Sequence, residues 1–187
     1  VLISIDTTKS RVALKAIQSG ADIINDISGL SFDNNMLDVI KELRVPVIIM
    51  HMQGIPLNMQ DNPTYNDLIE DISSFFKKKI KIALNAGIDK KHIILDPGIG
   101  FGKTVDNNFQ IINQLNVFCK LGFPVMIGPS RKSFIGATLD LPVDDRLEGT
   151  AATVAVGMMN GARIVRIHDV KEIKRVVSIV EKIRTVV

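Results

Sequence analysis

The sequence predicts a parallel α/β fold of six β/α units, and three observations carry that prediction. Short apolar, β-branched runs alternate strictly with longer segments whose apolar residues recur at helical spacing. Each short run is nearly continuous in apolar residues, the pattern of a parallel strand covered on both faces. Each also ends on a side chain able to do chemistry: Asp6, Asn25, His51, Asp96, Ser130 with Lys132, and Arg166 with His168.

The units follow one another without a linker or low-complexity stretch, so a single domain over 1–187 is expected. VLISID precedes the helical SRVALKAIQSG, DIINDI precedes NNMLDVIKELR, and PVIIMHM precedes the long YNDLIEDISSFFKKKIKIALNAG. HIILDPG precedes NNFQIINQLNVFCKLG, PVMIGPS precedes RLEGTAATVAVGMMNGA, and RIVRIHD precedes VKEIKRVVSIVEKIRTV. Gly20, Gly87, Gly122 and Gly161 stand where helices should close before the next strand. Two architectures fit this alternation, an open doubly wound sheet and a (β/α)8 barrel. An open sheet gathers its ligand groups at one switch point, whereas a barrel brings every strand end to one mouth. Chemically capable residues at all six strand ends therefore favour the (β/α)8 TIM barrel. Six units do not close eight strands, and the pattern starts abruptly at Val1, so two further β/α units are expected ahead of it.

Composition narrows the class. Apolar residues make up 46% of the chain, yet no run approaches the ~18 residues of a membrane span. No basic leader or cleavage signature precedes the first strand, which points to a cytoplasmic protein without a membrane partner. The single Cys119 cannot form an internal disulfide and sits at a core position of a helical pattern. The net charge of +3 permits an anionic ligand without demonstrating one. In the basic run FFKKKIKIALNAG, Phe75, Phe76, Ile80, Ala83 and Leu84 share one helical face and the lysines mostly fall on the other. With so few aromatic residues beside it, that run is a solvated face, and no nucleic-acid partner is expected.

The glycine-rich LDPGIGFGKT, 95–104, imitates a phosphate-binding P-loop. The Walker pattern needs a glycine five places before the last, and that place is Pro97. The dinucleotide pattern fails as well, because its third glycine would be Lys103. The better helix start is Asp106 or Asn107. What is left is a strand-end carboxylate followed by a backbone able to approach a flat ligand closely. Asp96 suits an amidine-like edge such as that of a guanine or pterin, although a loop or capping carboxylate fits the same position.

Asp96 has company. IDTTK, GADIINDISG, MHMQGIP, LDPGIGFGK, GPSRKSFIG and VRIHDV occur in that order, each at a strand end. Together they resemble dihydropteroate synthases over essentially the whole chain. The methyltetrahydrofolate-using methyltransferases share the barrel and the Asp and Asn pterin contacts, but are not expected to carry SRKS or RIHDV. A non-catalytic pterin-binding fragment is a third reading. The resemblance implies a folate-pathway transferase, a sulfonamide target, that condenses 6-hydroxymethyl-7,8-dihydropterin diphosphate with 4-aminobenzoate and releases pyrophosphate. It further implies Mg²⁺ as cofactor and a homodimer formed through the last helices. The motifs that supply the Mg²⁺-associated asparagine and a mobile covering loop are not found, so no metal ligand is expected among these residues.

Residue by residue, the resemblance gives Asp96 and Asn25 the pterin's amino-pyrimidine edge. Asp6 becomes a second, buried carboxylate near the developing cation, with a helix cap as its plain alternative. Lys132 lies between the pterin carbonyl and the 4-aminobenzoate slot, where Ser130 and Phe101 are its neighbours. Met50, Gly100 and Gly128 line the pterin pocket. Arg166 and His168, two places apart on a strand, point the same way and suit a diphosphate, with Arg166 also stacking on the pterin. Asp6, Lys132 and Arg166 are the expected catalytic residues. His51 either contacts the ligand or only orients its loop.

Overall fold

The computed structural model describes residues 1–186 and shows six β/α units. The strands are β1 (Ser4–Asp6), β2 (Ile23–Asp26), β3 (Val47–Met50), β4 (Ile93–Asp96), β5 (Met126–Ile127) and β6 (Ile164–Val165). The helices are α1 (Ser10–Gln18), α2 (Met36–Leu43), α3 (Leu68–Asn85), α4 (Val105–Asn113), α5 (Leu115–Cys119), α6 (Ser133–Leu139), α7 (Leu147–Met159) and α8 (Val170–Thr185). All strand pairs are parallel: β1 to β4 run side by side in chain order, and β5 pairs with β6. A single bridge between Leu95 and Val125 joins the two sets, fixed by the Leu95 N–H donating to the Pro124 carbonyl at 2.9 Å. The result is six consecutive staves of a (β/α)8 barrel.

The period-2 alternation of a strand explains both the core and the mouth. Outward-facing Ile24, Val47, Ile49, Ile93, Leu95 and Ile127 pack under the helices with Phe76, Phe118 and Phe134. Phe76 and Phe118 meet edge to face at 5.8 Å. Inward-facing Ile48, Ile94 and Met126, with Ile23 and Ile164, form a separate apolar floor inside the barrel. Two residues further along each of those strands stand Asn25, Met50, Asp96, Gly128 and Arg166. The functional candidates are thus the next layer above that floor, on the same face.

Some elements differ from expectation. α6 is an additional helix within the fifth unit; its seven residues open on Ser133 of the SRKS motif. α4 begins at Val105 with Thr104 as N-cap, one or two residues earlier than predicted. Thr104 and Asn107 form a reciprocal capping box, Thr104 Oγ1 accepting from Asn107 N and Asn107 Oδ1 from Thr104 N. Leu84, expected on the apolar face of α3, is 41% exposed, because the helix turns it beyond the edge defined by Phe76 and Ala83. Cys119 is half-buried against the core, as expected. The four helix-closing glycines all adopt positive φ. Among the described residues no helix is long and apolar enough to cross a membrane.

Candidate active site

A cavity of about 550 Å³ opens at the C-terminal ends of the strands, lined by Asp6, Asn25, Met50, Asp96, Phe101, Gly128, Lys132 and Arg166 among others. Its polar corner is built from four neighbouring strands. Asp6 lies opposite Asn25 in the β1–β2 register, and Asp96 opposite Met50 in that of β3–β4. Asn25 Nδ2 donates to Asp6 Oδ1 at 2.9 Å, which fixes the amide orientation. Its Oδ1 is then buried with no hydrogen-bond partner, the one such side-chain atom among the described residues. An orphaned buried acceptor costs about 1–3 kcal/mol, so it marks a place where a donor belongs.

Asp96 is 6% exposed. Its Oδ1 accepts from Gly98 N at 2.8 Å, and no hydrogen bond from the described residues ends on Oδ2. Burial pushes its carboxyl up to about 6, against the downward pull of the Gly98 N–H, Lys103, Lys132 and Arg166. At neutral pH it is mostly a carboxylate in a place that disfavours charge, and therefore a strong acceptor for a cationic or donor-rich edge. Lys132 Nζ stands 4.2 Å from the centre of the Phe101 ring. Burial lowers the Lys132 ammonium, with Asp96 opposing and Arg166 reinforcing that shift.

The glycine run packs the loop after β4 against the loop after β3. Gly98 and Gly102 have φ of +70° and +62°, and a Cβ on either would collide with the carbonyl of His51 or Gln53. Gly100 sits against the Lys132 side chain and so shapes the site without being part of the cavity wall. Lys103 is 3% exposed, its ammonium held by His51 Nδ1 at 3.2 Å, Phe101 O at 2.9 Å and His51 O at 3.4 Å. A P-loop lysine would reach for phosphate; this one is consumed by the protein. His51 is buried, its imidazole lowered to about 3 first by burial and then by Lys103. It is therefore a neutral acceptor that orients the loop.

The Asp6 side chain is 49% exposed in the described array, in which β1 is the outer strand. Its Oδ2 accepts from Arg166 Nη2 at 2.7 Å, so it stands between Asn25 and Arg166 rather than free. Ser130 and His168 do not line the cavity. Ser130 Oγ lies 2.9 Å from His168 Nδ1 and accepts the His168 backbone N–H at 3.1 Å. Val165 and Ile167 both pack toward α7 and α8, which leaves Arg166 and His168 together on the other side of the chain beyond β6.

These observations meet a match in known proteins. A sequence model for pterin binding enzymes covers residues 1–168. The chain belongs to the pterin binding enzyme family. It is 47% identical to the dihydropteroate synthase of Bacillus subtilis over 181 residues, which is 97% of this chain and 61% of that protein. The crystal structure of the Yersinia pestis dihydropteroate synthase with a sulfonamide drug complex superposes with a TM-score of 0.96 at 40% identity, over 99% of this chain and 67% of that one. The dihydropteroate synthase from Xanthomonas albilineans in complex with 7,8-dihydropteroate gives 0.93 at 34% identity, over 100% and 68% respectively. The chain spans about three fifths of the length of the curated relatives it matches. These matches are to synthases, so the methyltransferase alternative gains nothing from them.

Several site features were not singled out from sequence. Thr7, Thr8 and Lys9 line the cavity beside Asp6, and the quoted IDTTK already contained them. Arg131, at φ +56°, donates through Nε to Asp169 at 3.0 Å and ties the SRKS loop to the end of β6. Arg146 holds the same loop through the Arg131 carbonyl at 3.0 Å. Among the described residues no three His, Cys, Asp or Glu side chains cluster as metal ligands.

Proposed function

We propose that the whole protein is a dihydropteroate synthase, joining 6-hydroxymethyl-7,8-dihydropterin diphosphate to 4-aminobenzoate. The observation that carries the proposal is the pairing, in one cavity, of an unengaged Asp96 Oδ2 with the orphaned Asn25 Oδ1. Two acceptors at this corner suit the amino group and ring N–H of a pterin, a charge-assisted bond to the Asp96 carboxylate contributing about 1.5–3 kcal/mol and the bond to the neutral Asn25 amide about 0.5–1.5 kcal/mol. Met50 and Ile99 offer the flat ring an apolar wall.

In the reaction, the bond between the pterin methylene carbon and the diphosphate oxygen breaks, its electron pair leaving with pyrophosphate. The amine of 4-aminobenzoate forms the new carbon–nitrogen bond and loses a proton. Asp96 and Asp6 stabilise the positive charge that develops on the methylene and ring. Arg166, released from or shared with Asp6, meets the departing anion, and the Lys132–Phe101 pair forms the aminobenzoate side of the slot. Ser130 is proposed near the aminobenzoate carboxylate, and His168, hydrogen-bonded to it, joins Arg166 toward the diphosphate. Rate enhancement comes from positioning and electrostatics, without a covalent enzyme intermediate. Mg²⁺ is proposed for the whole protein as a counter-ion of the diphosphate, with no step assigned to it here. A cytoplasmic homodimer is proposed through α7 and α8, where Val156, Met159, Ile179 and Ile183 are exposed.

The test is pyrophosphate release from the pterin diphosphate, with and without 4-aminobenzoate, by this chain and its Asp96→Asn variant. Aminobenzoate-dependent release that collapses in the variant supports the proposal. Pterin binding without release would instead make this chain a binding fragment, and neither binding nor release would refute the assignment of the corner.

A further inference from the structure

Lys103 is the buried charge that the proposed reaction leaves unused. Its ammonium is held wholly by protein, and removing such a group from water costs several kcal/mol unless its surroundings repay it. Its partners come from two loops, His51 after β3 and Phe101 after β4. We propose that Lys103 is a positioning residue for both halves of the site, tying these loops together so that Asp96 and Phe101 are fixed at once. The inference rests on the reading of Asp96 as the pterin partner.

Two chains of contact lead from the ammonium to the cavity. Toward the pterin corner, Lys103 Nζ donates to the His51 carbonyl, the same oxygen against which Gly98 packs too closely for any side chain. Gly98 N in turn donates to Asp96 Oδ1 at 2.8 Å and turns Oδ2 away from the loop. Toward the second slot, Lys103 Nζ donates to Phe101 O at 2.9 Å, and the Phe101 ring carries Lys132 Nζ. Tyr65 reinforces the arrangement, its hydroxyl donating to Gly102 O at 2.6 Å.

The charged and titratable groups facing Lys103 are His51 from the loop after β3, Asp96 from β4 and Lys132 from the loop after β5. Burial lowers the Lys103 ammonium to about 7; Asp96 opposes that shift and Lys132 adds to it. Conversely, Lys103 exerts the largest pull of the cations that lower Asp96. A neutral side chain of similar length would remove both the tie and this support. An apolar filler could keep the packing but would leave His51 Nδ1 and the Phe101 carbonyl without their donor.

The experiment uses Lys103→Gln, Lys103→Met and, as control, Asp96→Asn. The Asp96 carboxyl is titrated by carbon-13 NMR in the ligand-free protein, and binding of 6-hydroxymethylpterin is measured by calorimetry across pH. We expect the Asp96 midpoint to rise in both Lys103 variants, the acid limb of pterin binding to rise with it, and affinity at pH 7 to fall about tenfold or more. An Asp96 midpoint unmoved in both variants, or affinity lowered equally at every pH, overturns the proposal and leaves Lys103 a packing residue. Absent pterin binding by the unaltered chain, or full binding by Asp96→Asn, overturns the underlying site reading and this proposal with it. Calorimetry on the unaltered chain and on Asp96→Asn, neither of which depends on Lys103 being changed, tells those two failures apart.

Discussion

Replacing Asp96 by Asn should make the protein more stable at pH 8 while removing its pterin affinity. Asp96 titrates near 3.8 when unfolded and at about 6 when folded, because burial disfavours its charge. Between those values the folded state keeps a proton that the unfolded chain has released, so stability falls as pH rises through that window and stays lower above it. A shift of that size corresponds to a ceiling of roughly 3 kcal/mol. Asparagine cannot ionise and escapes this cost. It also weakens the bond from Gly98 N, worth ~1 kcal/mol, whereas Lys103, lowered to about 7, is mostly neutral at pH 8 and loses little support. A net gain of about 2 kcal/mol at pH 8 is expected, shrinking to within ~0.5 kcal/mol at pH 4. Urea denaturation followed by circular dichroism at the two pH values measures it. A gain of equal size at both, or a less stable variant at pH 8, would refute the idea that Asp96 is held charged against its surroundings.

Other substitutions separate binding from folding. Asn25→Ala should leave stability within about 1 kcal/mol, since losing the bond to Asp6 is offset by losing the orphaned Oδ1, while pterin affinity in calorimetry falls about tenfold. Gly98→Ala, forced against the His51 carbonyl at φ +70°, should cost ~2 kcal/mol or more and lower Tm by about 4 °C or more in a thermal scan. Arg166→Ala breaks a half-exposed ion pair and should change stability by no more than ~0.5 kcal/mol. In the same variant the pterin diphosphate should bind more weakly while the pterin alcohol is little affected. Comparing the two ligands at low and high salt checks that distinction.

Much of the fold was legible because two periodicities are clean. The continuous apolar runs and the helical segments between them gave all six units, and the strand ends gave the mouth residues Asp6, Asn25, Asp96 and Arg166. The same alternation continues past β6: Arg166 is two places from the floor residue Ile164, and Val165 and Ile167 pack together on the outer face. α6 was missed because SFIGATL, at seven residues, is too short to show a helical stripe. Lys103 was hidden by its own motif. In sequence, GFGKT imitates phosphate binding, and only the packing of the loop after β4 on the loop after β3 shows the ammonium enclosed by His51 and Phe101.

The most direct test of the central claim is a crystal structure of this chain with 6-hydroxymethylpterin diphosphate. The account predicts the amino-pyrimidine edge against Asp96, the amino group also donating to Asn25 Oδ1, and the diphosphate toward Arg166. A ring turned so that its amino group faces away from both acceptors, or seated outside this mouth, would contradict it.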